Sequence, residues 1–144
     1  MKRTQKPHGK SGYTLAELLV VMVILALLAA IATPLVLNQL NNARHQSAAT
    51  QVENFATALS YYRLGVGRFP DASQGLQALI TQPSGTTGWS GPYLDANRGI
   101  PDDPWDRPYI YEVVGPGQVV IRTLGRDGQE GGDGEDADIV RTVQ

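Results

Sequence analysis

The chain has 144 residues, with 12 basic side chains against 14 acidic ones, a formal net charge of −2 and no cysteine. The missing cysteines exclude a disulfide framework. Lys2, Arg3, Lys6 and Lys10 all precede Gly12, so eight of the 12 bases face all 14 acids beyond that point and no lysine remains. No basic patch is left to neutralise phosphates, which argues against a nucleic-acid partner.

The first predicted element is an apolar helix. From Leu18 to Leu37 there is no charged side chain, and a run of roughly 20 such residues spans a bilayer core. A basic segment ahead of an apolar run fits a cleaved secretory signal, but such signals have a shorter apolar core of about 7–15 residues. It also fits a plain signal anchor, whose positive flank stays in the cytoplasm while the C-terminal part is exported. About a hundred residues would then remain for one small domain.

Gly12-Tyr13-Thr14-Leu15-Ala16-Glu17 supports a third reading. It resembles the class III signal of type IV prepilins and pseudopilins, a basic leader followed by G-F-T-L-x-E and an apolar helix. The resemblance implies that a prepilin peptidase cuts between Gly12 and Tyr13 on the cytoplasmic side and methylates the new Tyr13 amine. Tyr13 stands where the family usually has Phe and keeps the ring. Glu17 is a carboxylate entering hydrocarbon, which is costly without a partner. In axially staggered subunits the amine of one chain reaches Glu17 of the next, so Glu17 is expected to set the register of a homopolymer. The alternative is a carboxylate snorkelling at the membrane interface. Pro34 removes a backbone donor within the helix and is expected to kink it or melt it locally.

The helix is expected to continue as Asn38 onwards turns polar. Val52, Phe55, Leu59 and Tyr62 recur at spacings of three and four, one face of an amphipathic helix, with Gly65 as the expected C-cap. His45, between Arg44 and Gln46, reads as a solvated side chain and not as a metal ligand. The proline-rich region from Gly65 to Pro108 follows. Ser73 to Leu79 reads as a short helix capped by Ser73. The rest reads as an ordered loop in which Trp89, Tyr93, Trp105 and Tyr109 cover the core. Tyr109–Val114 and Gln118–Thr123 read as a hairpin joined at Gly115-Pro116-Gly117, and 139–143 as a third strand. The domain is therefore expected to be α+β, one long helix packed against a small antiparallel sheet.

Between the last two strands, Leu124 to Asp138 reads LGRDGQEGGDGEDAD. Six carboxylates on one glycine-rich loop repel one another unless a cation joins them. Calcium suits such a loop, because it takes six to eight oxygens from carboxylates and backbone carbonyls. Asp127 and Asp138 bracket the loop and are the leading ligands, followed by Asp136 and the carbonyls of Leu124 and Gly132. The spacing is not that of an EF-hand. The alternative is a solvated turn.

GRFPDASQGLQAL, GPYL, DPWDRPYIY and LGRDGQEGGDGEDADI follow the leader in order. Together these segments resemble the major pseudopilins of type II secretion systems, the general secretion pathway protein G family. The resemblance implies a pilin-like fold divided into a cleaved leader (1–12), a transmembrane and assembly helix (13–37) and a periplasmic domain (38–144) with a calcium site. It also implies a structural subunit that polymerises into a periplasmic pseudopilus at the inner membrane and drives export of folded proteins across the outer membrane. Its partners would be further copies of itself, minor pseudopilins, the inner-membrane platform and the secretion ATPase. Asp106 stands where the family commonly has Gly. A type IV pilus major pilin is the first alternative, although those usually carry a C-terminal disulfide loop. A simple membrane-anchored periplasmic domain is the second. An anchored enzyme has no support, since His8 lies in the leader, His45 lies on the helix and no nucleophile–base pair is evident.

Overall fold

The computed structural model describes residues 12–144, so the predicted leader, apart from Gly12, lies outside the described residues. Chain contacts separate the described residues up to Gln39 from residues 40–144. One helix, α1 (Leu15–Val66, 52 residues), contributes to both.

In the first unit α1 begins with a capping box, in which Thr14 and Glu17 serve each other. The Thr14 amide and hydroxyl both donate to Glu17 Oε2, at 2.8 and 3.0 Å, and the Glu17 amide donates to Thr14 Oγ1 at 3.2 Å. The apolar side chains that follow are all exposed, and none of the span is buried. Pro34 sits inside the helix without interrupting it, so of the two expectations the helix does not melt there. Nearby, the Thr33 hydroxyl donates to the Ala29 carbonyl.

In the second unit the amphipathic face behaves as its spacing predicts. Val52, Phe55, Leu59 and Tyr62 are buried together with Ala48, Ala56 and Ala58. His45 lies one turn before Ala48 on this side, and is half-buried instead of solvated; its Nε2 has no hydrogen-bond partner. The helix ends two residues later than expected. Gly67, at φ 85°, donates its amide to the Arg63 carbonyl and forms the left-handed cap. Gly65 has a different task, because a Cβ there would lie 2.7 Å from the Gly88 carbonyl oxygen. The missing side chain lets the helix end meet the following loop backbone to backbone.

Three antiparallel strands complete the domain: β1 (Ile110–Gly115), β2 (Gln118–Thr123) and β3 (Ile139–Val143), in the order β1-β2-β3. Burial alternates along β2, so Val119, Ile121 and Thr123 face inward. Val119, Ile121 and Val143 join Phe55, Leu59, Tyr62, Leu79 and Tyr109 in one core. Phe55 meets Tyr109 edge to face, with ring centroids 5.0 Å apart. The fold is thus a long helix on a small antiparallel sheet.

The proline-rich connection is ordered by specific bonds. Trp89 donates Nε1–H to the Ala78 carbonyl at 2.9 Å, and Tyr111 donates its hydroxyl to the Pro70 carbonyl at 2.7 Å. Trp89 and Tyr93 pack on the core and Tyr109 is part of it, as expected, whereas Trp105 is half-buried and is not among the residues packed on that core. The short helix is a 3₁₀ turn, Gly75–Leu79, without a Ser73 cap. Asp71 does that work instead. Its carbonyl accepts the Gln74 and Gly75 amides, and its own amide donates to Gln74 Oε1.

Candidate functional site: the acidic loop and its anchor

The loop between β2 and β3 is closed by main-chain pairs. The Arg126 amide donates to the Glu135 carbonyl at 2.9 Å, and the Asp138 amide donates to the Gly131 carbonyl at 3.1 Å. Asp138 Oδ2 accepts the Gly131 amide in return. Asp127 caps its own turn by accepting the Gln129 amide. The loop winds tightly around the Asp136–Ala137 peptide. A Cβ at Gly125 would lie 2.7 Å from the Asp136 carbonyl oxygen and 2.8 Å from that of Ala137, and one at Gly132 would strike the Asp136 carbonyl. Both glycines also have positive φ, at 62° and 80°, so neither space nor conformation admits a side chain.

The expected ligands are placed unequally. Asp127 is exposed, while Leu124, Asp136 and Asp138 are half-buried. Among the described residues, no three acidic side chains are gathered as a metal-ligand cluster. Asp136 is held by Arg126 in a two-pronged pair, Nε–Oδ1 at 2.8 Å and NH2–Oδ2 at 3.0 Å, and Glu135 approaches the same guanidinium at 3.3 Å. The Asp136 hydrogen bond, then its charge, raises the Arg126 pKa. Asp138 differs, because its Oδ1 is buried and has no partner. An unpaired carboxylate oxygen is costly to bury, and this one lies beside a tightly wound backbone.

Arg126 is the only base within the loop sequence, but the fold brings two more. Arg122 of β2 pairs with Glu130 of the loop and Glu112 of β1, both at 2.9 Å. The hydrogen bond to Glu130 is the larger reason its pKa is raised. Arg107 comes from the D-P-W-D-R-P segment, donates to the Gly125 carbonyl and lies against Gly128. Its own position is set by Asp103, which is buried. Asp103 Oδ1 accepts the Trp105 and Arg107 amides, each at 2.9 Å, and Oδ2 accepts the Thr123 hydroxyl. Asp103 thus ties the proline-rich loop to the end of β2, where the acidic loop departs. The only local hint of this role is an Asp followed at two and four residues by amides it can accept, an Asx-type signature.

A long helix with an exposed apolar first part, joined to a small sheet with a glycine-rich acidic loop, defines a pilin-like subunit. The family profile described as "Type II secretion system (T2SS), protein G" matches residues 35–142, and the prokaryotic N-terminal methylation motif matches residues 7–33. The type II secretion system core protein G of Vibrio cholerae is 38% identical over 139 residues, covering 94% of this chain and 93% of that one. The Pseudomonas aeruginosa core protein G is 39% identical over 144 residues, with 96% of each chain covered. The crystal structure of the major pseudopilin from the type 2 secretion system of enterohaemorrhagic Escherichia coli superposes with a TM-score of 0.56 at 28% identity, covering 71% of this chain and 85% of that one.

The chain belongs to the type II secretion system protein G family. It is a subunit of the secretion pseudopilus, of a family of structural proteins, anchored at the inner membrane by its N-terminal apolar helix and assembled with other components of the system.

Proposed function

We propose that the chain is cut between Gly12 and Tyr13, methylated on the Tyr13 amine, and held in the inner membrane by residues 13–37 with residues 38–144 in the periplasm. It then polymerises through the same helix, and the growing filament drives folded proteins across the outer membrane. A prepilin peptidase, minor pseudopilins, the inner-membrane platform and the secretion ATPase are its partners. The observation that carries this reading is the wholly exposed apolar stretch of α1 headed by a single carboxylate, Glu17. One surface serves lipid first and neighbouring subunits afterwards. Gly12 supports the cut. It is exposed, and among the described residues no atom lies within 4 Å of where its Cβ would be.

Glu17 has two duties in this account. It caps its own helix through Thr14, and it offers Oε1 and its charge to the amine of an adjacent subunit. The test combines two measurements. The mass of membrane-extracted protein should match Tyr13–Gln144 plus one methyl group. Glu17→Ala should be cut and inserted yet fail to assemble, whereas Thr14→Ala, which loses the cap alone, should still polymerise. Normal polymerisation of Glu17→Ala would remove the register role.

The acidic loop is proposed to hold calcium. Asp127 and Asp138 are its leading side-chain ligands, with Asp136 and the carbonyls of Leu124 and Gly132 completing the set. The unpartnered Asp138 Oδ1 and the wound backbone at Gly125 and Gly132 suit such an ion. The bound cation would supply charge neutralisation and a cross-link between β2 and β3 in a domain that has no disulfide.

A further inference from the structure

Arg126 stands apart from the other loop residues. Its guanidinium grips both oxygens of Asp136 and touches Glu135, while its backbone amide is already committed to the Glu135 carbonyl. The side chain could therefore leave without opening the main-chain closure of the loop. Asp136, in turn, is the expected calcium ligand whose two oxygens are both taken.

We infer that Arg126 is a built-in counter-cation that competes with calcium for the Asp136 carboxylate. This rests on the calcium reading above. Without calcium, the guanidinium neutralises Asp136 and Glu135 and keeps the loop closed. Calcium must displace it to recruit Asp136, and must also bind beside a positive charge. Arg126 thus lowers calcium affinity and at the same time limits the damage when calcium is absent. A fork that grips two oxygens suits this role better than a lysine ammonium, which acts as a point charge.

The full chain in detergent, stripped with a chelator, is titrated with calcium by calorimetry and melted in the chelator, as wild type and as Arg126→Gln and Arg126→Lys. Arg126→Gln should bind calcium about fivefold more tightly than wild type, the upper end of what an exposed ion pair contributes. In the chelator it should melt at a lower temperature than wild type. Arg126→Lys should fall between the two in both measurements. Equal or weaker calcium binding by a folded Arg126→Gln overturns the inference while leaving the calcium site standing. Absence of calcium heat in wild type and variants alike overturns both.

Discussion

Asp103 and Thr123 are bonded side chain to side chain in the interior, 20 positions apart in sequence, and both are almost fully buried. Through this pair the proline-rich loop and the end of β2 become one unit. Asp103→Ala would leave the Thr123 hydroxyl and two backbone amides without an acceptor. Each unsatisfied buried group costs on the order of 1–3 kcal/mol, and partial rescue by water should bring the total to about 3 kcal/mol. Urea denaturation of the purified chain measures it. Asp103→Asn keeps one acceptor oxygen and should lose less.

Asp106 is the only non-glycine residue with positive φ among those described, at 62°. The sequence already marks the position, because the family commonly has Gly there. Asp tolerates the left-handed region better than most residues. Asp106→Gly should hold stability or raise it by up to about 1 kcal/mol, and a β-branched replacement such as Asp106→Val should lower it by about 1–2 kcal/mol. Paired thermal melts decide this, and a marked loss of stability in Asp106→Gly would show that its side chain matters more than its backbone.

Two tyrosines make the domain sensitive to alkali. Burial, and then the charge of Asp103, pushes the Tyr109 hydroxyl up to about 12, and burial raises Tyr111 as well. In the unfolded chain a tyrosine titrates near 10. The folded state therefore keeps protons that the unfolded state releases. The resulting stability is complete below pH 10 and is lost as the pH rises from about 10 through about 12. The urea midpoint should fall steeply between about pH 10 and about pH 12, and Tyr109→Phe should flatten the fall.

Removal of the proposed calcium is a fourth lever on stability. An ion present at about a hundred times its dissociation constant stabilises the state that binds it by about 2.7 kcal/mol. Chelation should therefore lower the melting temperature and speed proteolysis within 124–138. Asp127→Ala and Asp138→Ala should melt alike with and without chelator. An unchanged wild-type melt in excess chelator would count against the site.

The elements that follow a period were legible in the sequence. Val52, Phe55, Leu59 and Tyr62 repeat every three or four residues, and β2 alternates inward and outward, so local spacing was enough. The helix end was misplaced because Gly65 and Gly67 are both cap-competent. Only the Gly88 backbone, 21 or more positions away, tells them apart. The Ser73 cap failed for a similar reason, since Asp71 reaches the same amides two positions earlier. The capping box of Thr14 and Glu17 is written in T-x-x-E spacing, a signal that the apolar run behind it outweighs. In the acidic loop the anions and Arg126 were visible, and the two arginines that reach the loop from outside it were not. Arg122 lies on a neighbouring strand and Arg107 beyond β1, so only the folded chain brings them to Glu130 and Gly125.

Every ion pair among the described residues is made by arginine. Beyond Lys10 the sequence has neither lysine nor cysteine. A chain cut after Gly12 would therefore present a single amine to acylating or aldehyde reagents, the one at Tyr13. Such reagents would leave the sheet, the core and the acidic loop chemically untouched. Their reaction would report directly on whether that terminus is free or shielded within an assembled filament, and a single introduced cysteine could be labelled in the same molecule without cross-talk.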